Sequence, residues 1–94
     1  MKRALLRWLR LHVSSHRHVQ ACWIVGSALN QQTGFNDVDI VVVCRDWNVR
    51  RWLVRVKAAF RIAFKMRLDV QIFHMTQRQE VRQFLRRAGY AWEV

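Results

Sequence analysis

Three aspartates carry the chemistry open to this sequence. Asp37 and Asp39 share the tripeptide Asp37-Val38-Asp39, at the head of the apolar run Ile40–Cys44, and Asp69 lies in Leu68-Asp69-Val70. The chain has 17 basic residues and only six acidic ones, so this pairing of carboxylates needs a physical reason. Side chains alternate along a strand, so Asp37 and Asp39 point to one face with Cα atoms about 6.5–7 Å apart. Carboxylates this close repel each other, and at the mouth of a buried strand they need a counter-charge. A hard divalent cation such as Mg²⁺ supplies one through oxygen ligands. Two such ions can clamp the attacking and leaving oxygens of a phosphoryl displacement. Upstream, Gly26-Ser27 stops an apolar run. Glycine lets a backbone approach a phosphate closely, and the following N–H groups and the Ser27 hydroxyl can bind its oxygens. Asp37, Asp39 and Asp69, with Gly26 and Ser27, therefore read as a site for metal-assisted nucleotidyl or phosphoryl transfer.

The elements that must gather these residues follow from periodicity. Residues 3–13 have Leu5, Leu6, Trp8, Leu9 and Val13 on one helical stripe and Arg3, Arg7 and Arg10 on the other side. Residues 19–25 read as a strand ending at Gly26, and residues 28–36 as a polar connection. Asp37–Cys44 is the clearest strand, its β-branched run implying burial on both faces. Asp46 is placed to cap a helix running from Trp47 to Phe64. Residues 68–73 form a third strand. Thr76 and Gln79 have capping-box spacing before a helix with Arg78, Arg82 and Arg86 in a row, and Gly89 is placed to stop it. The last residues, Tyr90–Val94, suit a short edge strand. The order α-β-β-α-β-α, with a final β, predicts a single α+β domain over residues 1–94, with a mixed sheet of three to four strands and helices packed on it.

A strand–helix–strand crossover makes the second and third strands parallel, which brings Asp69 beside Asp37 and Asp39. A shorter connection makes the first two strands antiparallel, which brings Gly26-Ser27 to the same sheet edge.

The pattern Val25-Gly26-Ser27, nine residues, then Asp37-Val38-Asp39-Ile40 resembles the signature of the DNA polymerase β-type nucleotidyltransferase superfamily. Asp69, in Arg67-Leu68-Asp69-Val70, looks like that family's third carboxylate. The resemblance is closest to the minimal nucleotidyltransferases, single small domains often encoded beside a HEPN-type toxin, and it covers essentially the whole chain. It implies Mg²⁺-dependent transfer of an NMP from an NTP to an acceptor hydroxyl, with two ions held by Asp37, Asp39 and Asp69. Gly26 and Ser27 would bind the triphosphate. It implies a protein acceptor such as a partner toxin, whereas the charge points to RNA, such as a tRNA end. Many members carry an arginine shortly after Gly-Ser; here Ala28-Leu29-Asn30 takes that place, so that phosphate contact must come from elsewhere. The alternative is a nucleotidyltransferase-fold basic protein that binds and neutralises a partner, or binds RNA, without catalysis.

Composition bounds the rest. A net charge of +11 on 94 residues attracts polyanions. No stretch reaches the roughly 18 apolar residues of a membrane span, and the N-terminal arginines interrupt any signal-peptide core. Cys22 and Cys44, both in apolar runs, read as buried free thiols in a reducing cytoplasm. So small a chain leaves much of an acceptor site to a partner or a second copy. His12, His16 and His18 form a polar turn, and His74 ends the third strand, where it could help at the site although a strand-end histidine is more often simply exposed. Of the five tryptophans, Trp8 and Trp52 read as core, and Trp47, at a helix start, is a better candidate than these for exposure and base stacking.

Overall fold

A computed structural model describes residues 2–26 and 37–94. The second strand, β2 (Asp37–Cys44), lies inside a four-stranded sheet between β1 (Val19–Val25) and β3 (Arg67–His74). The short β4 (Ala91–Glu93) continues the sheet beyond β1, giving the order β3-β2-β1-β4. The β1–β2 and β1–β4 pairs are antiparallel and β2–β3 is parallel, so the sheet is mixed as expected. Val38 and every residue from Ile40 to Cys44 are buried, which is what a β-branched strand covered on both faces requires.

Two layers of helix provide that cover. On one face lie α1 (Lys2–Leu9), its π-helical continuation Arg10–Ser14, and α2 (Val49–Phe64). Leu5, Leu9 and Val13 meet Leu53 and Phe60 over Cys22, Ile24, Ile40 and Val42 in one apolar cluster. Phe60 is wholly buried, edge-on to Trp8 at 5.3 Å and stacked on Phe64 at 4.7 Å. Burial of one such side chain stabilises by roughly 1.5–3 kcal/mol. Among the described residues, the opposite face carries α3 (Arg78–Ala88) alone, seated through Val81 and through Phe84 against Phe73 at 5.7 Å. Clefts open between this helix and the sheet.

Trp8 and Trp52 pack against the core as expected, while Trp47 is 46% exposed. Cys22 and Cys44 are buried and free; Cys22 faces Val42 and Cys44 faces Val19 across the β1–β2 ladder, so neither stands opposite the other. Local signals at helix starts behave differently from expectation. The Asp46 carboxylate accepts from the Asn48 N–H at 2.8 Å and closes a turn, so α2 begins at Val49. Thr76 does not cap α3: its hydroxyl pairs with His74 Nδ1 at 2.8 Å, and the helix opens after Gln77 without a side-chain cap bond. Helix ends are reached through positive φ, at Lys65 (φ 59°) after α2 and Gly89 (φ 80°) after α3. No helix among the described residues is long and apolar enough to cross a membrane.

Candidate carboxylate site

The parallel return of the chain through α2 sets the register of the site. Asp39 stands directly opposite Asp69, and Asp37 opposite Arg67. On the other side of β2, Val25 stands opposite Asp39, which brings Gly26 to the same edge. The register brings Asp37, Asp39 and Asp69 to one face of the sheet, the face on which α3 lies.

Gly26 has φ +79°, a conformation glycine adopts without strain. A Cβ there would stand 3.6 Å from Asp39 Oδ2, so the bend and the carboxylate are in contact range. The Gly26 N–H donates to the Tyr90 carbonyl at 3.1 Å, tying the bend to the segment before β4. That N–H is therefore engaged. Ser27, and with it the stretch Ala28–Asn30, lies outside the described residues.

The charge balance contains a participant that sequence reasoning missed. Arg67 Nε lies 3.1 Å from Asp69 Oδ1, and its Nη2 lies 3.6 Å from Asp37 Oδ2 and 3.3 Å from Asp69 Oδ2. The guanidinium thus bridges the two outer carboxylates. Among the described residues it forms no ion pair with Asp39. Burial pushes the Asp39 carboxyl above the usual range, the charges of Asp37 and Asp69 push it further, and Arg67 opposes them. Arg67 could have been found from two signals: it precedes Asp69 by two residues on one strand face, and the parallel register sets it against Asp37.

A cleft of about 260 Å³ opens over Asp39 and Asp69, walled by Gly26, Gln71, Phe84 and Ala88. A second cleft of about 290 Å³, at the other end of α3, has Trp23, Val81 and Leu85 in its lining and no carboxylate. Among the described residues, no three His, Cys, Asp or Glu side chains are close enough as they stand to grip one metal ion together. The donor set still has the chemistry of a hard divalent cation site: oxygen only, net negative, with Asp39 short of positive charge.

His74 does not join this site. It sits at the far end of β3, half-buried, with Nδ1 on the Thr76 hydroxyl and Nε2 3.2 Å from the Arg45 carbonyl. Strand direction separates it from Asp69 despite their closeness in sequence. His12 packs on Trp8 and His16 on Trp52, each at 4.3 Å between ring centroids, so these rings lie against the tryptophans that flank the core. Desolvation first, then His18 and Arg17, lower the His16 pKa.

Compared with known proteins, the chain matches no protein family, no curated protein and no solved structure.

Proposed function

We propose that this protein is a minimal nucleotidyltransferase of the DNA polymerase β type, moving an NMP from an NTP to an acceptor hydroxyl. The observation that carries this reading is the register that sets Asp39 against Asp69, with Asp37 two residues away and the Gly26 bend in contact range. Asp37 and Asp39 would hold two Mg²⁺ ions, with Asp69 helping to ligate one. Bound there, such ions would supply positive charge for the triphosphate and for the entering and leaving oxygens. Residues after Gly26, Ser27 among them, bind the phosphate chain. Asp69 accepts the proton of the acceptor hydroxyl as its oxygen bonds to the α-phosphorus. The bond from that phosphorus to the bridging oxygen breaks, and pyrophosphate leaves with the electron pair. Before nucleotide arrives, Arg67 is the counter-charge. Its side chain is 64% exposed, so it is free to exchange the carboxylates for a phosphate oxygen. That would supply the contact for which Ala28-Leu29-Asn30 carries no arginine.

The acceptor is a hydroxyl on a partner protein of the HEPN toxin type, or on RNA such as a tRNA end, in the cytoplasm. The Arg67 bridge favours one further reading. A site neutralised by its own arginine suits a basic binding protein that keeps the fold without catalysis and neutralises its partner by occupying it.

The two readings separate in one experiment. The protein is incubated with each α-labelled NTP, Mg²⁺, total tRNA and a candidate partner protein. The enzymatic reading expects label on RNA or protein, lost in the double variant Asp37→Ala, Asp39→Ala. If no label moves, and the double variant still folds and still neutralises its partner, the protein acts by binding.

A further inference from the structure

Away from the carboxylates, the outer flank of α2 and the free edge of β3 form a second surface with its own chemistry. All charged residues within α2 are positive: Arg50, Arg51, Arg55, Lys57 and Arg61, with no acid in its 16 residues. Arg50, Lys57 and Arg61 are exposed and spaced by seven and then four residues, so they return to one side of the helix. Arg50 lines a cleft with Val70, Gln71 and Ile72 of β3, and Arg61 lines one with Arg67 and Asp37. The row therefore runs along the β3 edge of the molecule, and among the described residues no strand pairs with that edge.

At the Arg50 end stands Trp47. The Arg50 guanidinium is 5.9 Å from its ring centroid. The His74 ring stacks on it at 5.8 Å and 27°, itself held by the Thr76 hydroxyl and the Arg45 carbonyl. The indole is thus braced in place while 46% of the residue stays exposed. Beside it the cleft of about 370 Å³ is bounded by Trp47, Arg50 and the β3 edge at Val70, Gln71 and Ile72. A braced indole has no folding reason to face water. An aromatic face and a guanidinium beside a cationic row are the parts that take a base and its phosphates.

We propose that this surface binds single-stranded nucleic acid, with a base stacked on Trp47 and the backbone following Arg50, Lys57 and Arg61. The site stands apart from the catalytic reading and survives its failure. Val70 and Gln71 also border the carboxylate cleft, so a strand lying here passes next to Asp69.

The test is fluorescence anisotropy with labelled single-stranded RNA and DNA of about twelve nucleotides, against an abasic oligomer of the same length. The full chain binds the base-bearing oligomer roughly tenfold or more tighter than the abasic one. Trp47→Ala removes that difference, and Trp47→Phe, which keeps a ring, restores most of it. Lys57→Gln with Arg61→Gln weakens both oligomers alike and lowers the slope of log affinity against log salt by about 1.4. A preference for RNA or for DNA identifies the source of the strand. The proposal is overturned if the abasic oligomer binds as tightly as the intact one, if Trp47→Ala in a folded chain changes nothing, or if neither nucleic acid binds. Equal binding of polyglutamate at the same salt overturns it too, since the surface would then attract any polyanion.

Discussion

Replacing Arg67 by glutamine removes the positive charge that the carboxylates share and leaves a side chain of similar length. The native guanidinium makes ion pairs to Asp37 at 3.6 Å and to Asp69 at 3.1 Å. The side chains are 64% exposed for Arg67, 41% for Asp37 and 37% for Asp69, so solvent screens both pairs. Exposed pairs contribute roughly 0.2–1 kcal/mol each, which sets the combined loss near 1 kcal/mol. For a domain of this size that lowers Tm by about 4–8 °C. The assay is thermal unfolding followed by circular dichroism at low ionic strength. The loss shrinks by half or more in 1 M salt, where the screening length falls to about 3 Å. If the carboxylates hold Mg²⁺ as proposed, the loss shrinks also in Mg²⁺, because the cation would take over the role of the guanidinium. In a chain that already carries Asp37→Asn and Asp69→Asn, Arg67→Gln has almost no further effect. An equal loss in that background, or one indifferent to salt, would show that Arg67 acts through packing and refute the electrostatic account.

Asp39→Asn stabilises the protein near neutral pH, measured by urea unfolding across pH. With the native carboxyl titrating above its unfolded value, the folded chain binds more protons in that window; its stability falls as pH rises through it, and the variant escapes the fall. Gly26→Ala costs about 1–2 kcal/mol in the same assay, because φ +79° disfavours alanine while its Cβ would meet Asp39 only at ordinary contact distance. A cost under a few tenths would show that the bend relaxes. Cys22 and Cys44 resist Ellman's reagent until the chain unfolds, since burial pushes the Cys22 thiol up to about 12 and raises Cys44 as well. Rapid labelling of the folded chain would contradict that.

Sheet and layers were legible where the sequence has one dominant pattern. The β-branched run of β2 requires two covered faces, and the α2 crossover requires a parallel β3; together they bring Asp69 to Asp39. Helix starts were not legible, because Asp46 and Thr76 have alternative partners nearby and side-chain oxygens choose among them by fine geometry. His74 is carried away from the carboxylates by the length of β3. Arg67 went unread for a different reason. A carboxylate cluster invites a metal as its counter-charge, and an arginine two residues away on the same strand serves the same electrostatic need.

Whether the three aspartates form one cation site is tested most directly by Mn²⁺ titration, with free ion read by electron paramagnetic resonance. The native chain takes up Mn²⁺, Asp39→Asn weakens the uptake at least tenfold, and Arg67→Gln leaves it equal or tighter. Uptake that is the same with and without the Asp39 carboxylate would contradict a shared site.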